Sequence, residues 1–190
     1  MSQQTVLMHP ALVRYLAMKQ SFDVSPLVLF AVRDGYLPDR KTAESAFDGV
    51  LQWLAAHAVD EHPEKPFVMM NGEVDQAFHA FLLNTRSYLH FCREFVGFFI
   101  HHTPIMDVAT TEYDIKGGID YTLGYLQAAY GSQLSPALYS WVRLHKQGEL
   151  TATSVSCVSN GPDRVAHEII GVADFRTFWD TNPQHMIGTA

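Results

Sequence analysis

Asp75 and His79 stand four residues apart in the segment "VDQAFHAFLLNTRSYLHFC", which is otherwise rich in apolar residues. On a helix this spacing places the two side chains on one face. Shortly after it, "IHHTP" adds the neighbouring pair His101 and His102. A carboxylate that hydrogen-bonds an imidazole fixes its tautomer and raises its basicity, whether the ring binds a metal or moves a proton. These four residues are therefore candidates for a metal or acid–base site, and two imidazoles with a carboxylate suit Zn or non-haem Fe.

The same residues also have a purely structural interpretation. Asp75 and His79 can form an ordinary pair on one helix turn, with Cys92 as a small core residue. Neither Asp-x3-His nor a His-His pair is a specific motif. The sequence has no phosphate-binding glycine loop, no Gly-x-Ser-x-Gly and no His-Glu-x-x-His. Cys92 and Cys157 match no zinc motif and make no disulfide framework. Whether the protein is an enzyme stays open at this level.

The apolar periodicity of this segment predicts a buried central helix at about residues 72–100, which ends before Pro104. Its core side should carry the following side chains: Tyr88, Cys92, Phe95 and Phe99.

Five further segments have helix signals. Ser-Pro or Pro starts predict helices from Pro10, from Ser25 and from Ser135, and an apolar stripe with a period of 3.6 residues predicts one at 42–58. A further helix should end at Gly131. The segment "FVMM" before Asn71 is short enough for a strand. The tail from residue 149 changes to Thr, Ser and Val in near alternation, which indicates a hairpin or an irregular extension.

We therefore expect a mainly α protein, a single-domain helical bundle around the central helix. Residues 1–146 form the helical domain, and residues 147–190 form a small irregular or β-hairpin C-terminal extension packed on it. A chain of 190 residues with 47% hydrophobic composition is long enough for one such core.

Several spaced residues resemble the glycine-rich domain-containing protein-like family. They are Asp75-x-x-Phe78-His79, Leu83-x-Thr85, Tyr88, Cys92, Gly97 and "FIHHTP", with "YTLGYLQAAYGSQLSPALYSWV" as a closing block. The likeness covers roughly residues 60–143. Phe78 stands where that family has tryptophan, and the Gly/Cys-rich tail of many members is missing after Lys146. The resemblance implies a small helical domain and no particular activity.

Composition narrows the function classes. The formal charge is −7, from 20 acidic and 13 basic residues without a basic cluster, which argues against nucleic acid. The longest apolar run, Leu27 to Val32, is too short for a bilayer, and the N-terminus resembles no signal peptide, so we expect a soluble, cytoplasmic protein.

Two functions remain as hypotheses. The first is a binding or accessory protein that presents a surface to a protein or peptide partner. Its anchors would be Trp141, Phe175 or Trp179, because aromatic residues dominate binding hot spots. The second is a metal-dependent or acid–base enzyme built on Asp75 and His79.

Overall fold

The structure, a computed structural model, describes residues 8–62, 64–105 and 113–159. The expected mainly helical class is confirmed. Seven α-helices span Pro10–Ser21 (α1), Ser25–Arg33 (α2), Arg40–Ala58 (α3), Glu73–Leu83 (α4), Thr85–Phe91 (α5), Ile115–Tyr130 (α6) and Pro136–Lys146 (α7). No helix in these ranges is long and apolar enough to cross a membrane.

The helix starts follow from local chemistry. Pro10 and Pro136 occupy first-turn positions, where their missing N–H is not needed. The Asp39 carboxylate accepts a hydrogen bond from the Thr42 N–H at 2.9 Å and caps α3. In the same way Asp114 caps α6. These caps explain why the sequence-based helix boundaries are close to the observed ones.

The helix at the centre of the bundle is α3. It contacts α1, α2, α4, α6 and α7, and 12 of its 19 residues are buried. One of its buried polar side chains, Gln52, donates to the Gln133 carbonyl at 2.8 Å and accepts from the Ser135 N–H at 2.8 Å. This pairing satisfies the amide and joins α3 to the start of α7.

The predicted helix at 72–100 is broken into three parts. Helix α4 ends at Leu83, α5 follows from Thr85, and a π-helical turn at Cys92–Val96 leads to Gly97. Gly97 has φ +94°, a left-handed conformation that ends the helix without steric cost. Because the break and the π turn rotate the later residues, Tyr88 and Cys92 are buried as expected, but Phe95 and Phe99 are only partly buried. Those two placements were wrong.

A small antiparallel sheet packs against the helices. Its strands are Phe67–Met70 (β1), Thr103–Pro104 (β2) and Val155–Ser159 (β3), in the order β1-β3-β2. The segment "FVMM" is thus a strand, as predicted. The C-terminal extension does not pair with itself as a hairpin in its described part, because β3 lies between two strands from earlier in the chain. Residues 160–190 lie outside the described part.

Side chains cover the outer edge of β1. The Val68 N–H donates to Thr122 Oγ1 at 2.9 Å, and the Val68 carbonyl accepts from the Trp53 indole at 2.9 Å. Because both backbone groups of Val68 have partners, this part of the edge is not open to pairing with another chain. These two bonds hold β1 to α3 and α6. The C-terminal end of β1 leads into α4.

Candidate functional site

Asp75 lies in the first turn of α4, directly after the turn that connects β1 to this helix. Its side chain is only 10% exposed. The N-terminal turn of a helix favours a negative charge, which partly offsets the cost of burying a carboxylate. One helix turn later, His79 places Nδ1 3.4 Å from Asp75 Oδ2, and its side chain is 42% exposed. The predicted i, i+4 pair is therefore present.

His102 approaches the other oxygen of the same carboxylate. It stands directly before β2, is 9% exposed at its side chain, and places Nε2 3.4 Å from Asp75 Oδ1. The rings of His79 and His102 lie 4.3 Å apart between centroids. Two imidazoles from distant parts of the chain thus converge on one buried carboxylate.

An irregularity in the sheet brings two consecutive residues of β3 to this carboxylate. Met69 is paired with Cys157 and Met70 with Val155, so Ser156 is an extra residue opposite β1. Neighbouring residues of a regular strand point to opposite faces, but a bulge re-aims a side chain. The Ser156 hydroxyl donates to Asp75 Oδ1 at 2.7 Å, a short hydrogen bond to a charged group.

Cys157 completes a group with metal-ligand spacing. One ligand atom each from Asp75, His102 and Cys157 lies within 4.8 Å of the other two. The three residues come from α4, from the position directly before β2 and from β3. Among the described residues, Asp75, His102 and Cys157 form the group of His, Cys, Asp or Glu side chains that meets this spacing. His79 lies next to the group, in contact with Asp75.

The electrostatics of the group favour a cation. Both described ion pairs of Asp75 are with imidazoles, so no Lys or Arg among the described pairs neutralises this buried carboxylate. Burial first, and then the charge of Asp75, raise the pKa of the Cys157 thiol well above its usual range. The thiol is therefore protonated at neutral pH, and a bound metal ion would stabilise its thiolate.

Not every predicted candidate belongs to the group. His101 is exposed and its ring packs edge-on against Phe99, with 4.9 Å between centroids. Cys92, expected to be a small core residue, is buried and is not part of the group, and burial raises the pKa of its thiol to about 11. Sequence reasoning missed Cys157 and Ser156 as site residues. The signal available was the alternation of "SVSCVS", which predicts a strand but not its partner strands.

The comparisons with known proteins identify the family. The sequence model of the UCP032817-like family matches residues 17–120, more than half of the chain. The chain belongs to the UCP032817-like family. No curated protein and no solved structure matches it.

The family match corrects the resemblance drawn from the sequence. The first part of the supposed glycine-rich domain-containing signature, Asp75 to Pro104, lies within the region that the UCP032817-like model matches, and its closing block at 121–142 lies just beyond that region. The assignment to the glycine-rich domain-containing family was wrong. His, Cys, Tyr and Phe can recur at such spacings because they pack in a buried helical segment, whether or not two families share an ancestor. This explains the error. Asp75, His79 and His102 lie within the matched region of this UCP032817-like protein, whereas Ser156 and Cys157 lie beyond it.

Proposed function

We propose that this protein binds one transition-metal ion, Zn²⁺ by preference, through Asp75, His102 and Cys157. The observation that supports the proposal is the convergence of a carboxylate, an imidazole and a thiol from three separate elements within 4.8 Å. Carboxylate, imidazole and thiolate are the three side-chain ligand types of zinc.

The geometry needs little adjustment to hold the ion. With metal–ligand bonds of about 2.0–2.3 Å, ligand atoms of a tetrahedral zinc lie roughly 3.3–3.8 Å apart. The 3.4 Å between Asp75 Oδ1 and His102 Nε2 already fits that range. The remaining separations are at most 4.8 Å, and a sulfur and an oxygen or nitrogen on tetrahedral zinc are about 3.5 Å apart, so the Cys157 side chain needs to move by up to about 1.3 Å.

The donor set favours zinc over non-haem iron. The iron sites of oxygenases use two imidazoles and one carboxylate, which was the set expected from Asp75, His79 and a residue of the His-His pair. The thiol of Cys157 changes this preference because soft thiolate ligands select zinc among the common ions. Ser156 would orient the Asp75 carboxylate, as partners of metal ligands do.

The partner-surface hypothesis gains no support from the described residues. Trp141, the anchor that can be placed, is buried in the core, and the other two expected anchors, Phe175 and Trp179, lie outside the described residues. The metal site is therefore the function that the geometry supports best.

Metal analysis of protein produced without a polyhistidine tag tests the proposal. After incubation with Zn²⁺ and dialysis, we expect one zinc per chain, and loss of that zinc in His102→Ala and in Cys157→Ala. The matched controls are His101→Ala and Cys92→Ala, which change a neighbouring histidine and the other buried cysteine and should keep the metal. Circular dichroism establishes that each variant is folded. Substoichiometric zinc in the wild type, or full zinc in folded Cys157→Ala, would contradict the proposal.

A further inference from the structure

A cavity of about 390 Å³ lies between the end of α1, the start of α2, the outer face of α3 and the start of α7. We propose that this cavity binds a small primary amine with an aromatic or other apolar body. Sites for small molecules have volumes of about 300–1,000 Å³ and combine an apolar lining with a few polar groups. The proposal does not rest on the zinc site, because Asp75, His102 and Cys157 are not among the residues that line the cavity.

The apolar part of the lining would hold the body of the ligand. It is formed by four side chains: Phe22, Val24, Leu51 and Pro136. Leu51 is only 3% exposed, and Phe22 is partly buried against the core. The Phe22 ring is held in place by the rings of Phe91 and Phe81, with 4.9 Å and 5.5 Å between centroids. This wall is therefore preformed, and an apolar ligand group that covers it leaves water.

Asp48 is the polar group of the lining whose position is most firmly fixed. Its Oδ1 accepts hydrogen bonds from the Tyr15 hydroxyl at 2.6 Å and from Lys19 Nζ at 2.8 Å. Lys19 also donates to the Tyr15 oxygen at 3.0 Å, so the three groups form a closed network. The Asp48 side chain is 25% exposed, and its second oxygen, Oδ2, has no hydrogen-bond partner among the described residues. A carboxylate oxygen is thus held ready for a donor from a ligand.

The other polar atoms that remain without a partner are also acceptors. Within the described part of the chain, no hydrogen bond reaches Glu44 Oε2 or the Ser45 hydroxyl oxygen, and both residues line the cavity. Arg40 binds the other oxygen of Glu44 at 2.7 Å from outside the lining, in a largely exposed pair. Such a surface pair is weak and leaves the carboxylate available.

These acceptors decide the sign of the ligand charge. A protonated primary amine has three N–H groups, which match the free oxygens of Asp48, Glu44 and Ser45. A ligand carboxylate would instead face two carboxylates, and the lining cation, Lys19, is already engaged with Asp48 and Tyr15. The net charge of −7 also favours the approach of a cation.

2-Phenylethylamine is the probe, because it joins a protonated primary amine to a phenyl ring. 2-Phenylethanol has the same size without the charge, and phenylacetate reverses the charge. In titrations of ¹⁵N-labelled protein followed by NMR in an amine-free buffer, we expect saturable binding of the amine with a Kd of about 1 mM or tighter. The two other compounds should bind at least about tenfold more weakly. Equal or tighter binding of either one, or no saturable binding of the amine at about 10 mM, would overturn the proposal.

Asp48→Asn is the deciding variant. Its amide oxygen can still accept from Tyr15 and Lys19, so the fold should be kept while the negative charge is lost. We expect amine binding to weaken by about tenfold or more. The matched control is Asp34→Asn, because Asp34 also pairs with a cation, Arg33 at 2.6 Å, and does not line the cavity. Equal weakening in both variants would show an effect of net charge alone and would overturn the proposal.

Ser45→Phe tests where the amine binds. The position is half-buried on α3, and the larger side chain would fill the cavity with an aromatic ring. We expect saturable amine binding to be lost, with the circular dichroism spectrum unchanged. Wild-type affinity in folded Ser45→Phe would place the amine elsewhere and overturn the proposal. If Asp48→Asn is unfolded, Ser45→Phe decides alone.

Discussion

As the pH rises above 9, the free energy of unfolding should fall less in Cys92→Ala than in the wild type. Burial raises the pKa of the Cys92 thiol from 9.0 to about 11, because the thiolate would be poorly solvated. Its hydrogen bonds with the Ile100 backbone and with Tyr88 lower the pKa and offset burial only in part. The folded state therefore holds its proton at pH values where the unfolded chain has lost it. The resulting stabilisation is fully present below pH 9 and is lost as the pH rises towards 11.

The magnitude follows from the two pKa values. At pH 10, one pH unit above the unfolded value, wild type should have lost about 1 kcal/mol more than Cys92→Ala, each relative to its own stability at pH 8. Well above pH 11 the difference should reach roughly 3 kcal/mol. The assay is urea unfolding at pH 8, 9, 10 and 11, with a reductant present.

Comparing the stability of each protein with its own stability at pH 8 removes two complications. The packing loss in Cys92→Ala is the same at every pH. The neighbouring Tyr88 keeps its raised pKa in both proteins, because burial, the largest cause, remains when Cys92 is replaced. Equal loss of stability in the two proteins between pH 8 and pH 10 would refute the assignment of Cys92 as a buried, uncharged thiol.

Three further outcomes are expected. Gly118→Ala should destabilise the protein by about 1–3 kcal/mol in thermal unfolding, because a Cβ there would lie 2.8 Å from a β1 side chain. In Gly124→Ala, on the same helix, the added Cβ meets nothing within 4 Å and should not destabilise the protein. Ser156→Ala should lower the free energy of unfolding in urea by about 1.5–3 kcal/mol, because it removes a hydrogen bond to the buried Asp75. The control Ser132→Ala, at an exposed position, should change it by less than about 0.5 kcal/mol. Both cysteines of the metal-free protein are buried and should react with Ellman's reagent only after unfolding; rapid labelling of the native protein would contradict their placement.

Local chemistry made most of the helices predictable. Pro10, the Ser135-Pro136 pair and the apolar stripe of α3 are signals that neighbouring residues carry, and the structure follows them. The break at Asn84 was not predictable in this way. The Asn84 side chain donates to the Ala80 carbonyl at 2.9 Å where α4 ends, but a single Asn inside an apolar periodic segment does not by itself predict a break.

The candidate site was half predictable. Helical spacing alone relates Asp75 to His79, and the structure places them as expected. Which residue of the His-His pair joins them depends on where β2 begins, since His102 precedes the strand and His101 turns outward. Cys157 depends on β3 pairing with two strands that are 50 or more residues away in the sequence, and no periodicity encodes that pairing.

The zinc K-edge X-ray absorption spectrum of the metal-loaded protein tests the central claim most directly. The account predicts one sulfur at about 2.3 Å from zinc, with nitrogen and oxygen ligands at about 2.0–2.2 Å, and loss of the sulfur shell in Cys157→Ala. A spectrum with nitrogen and oxygen ligands alone in the wild type would show that the ion does not lie between Asp75, His102 and Cys157, and would contradict the account.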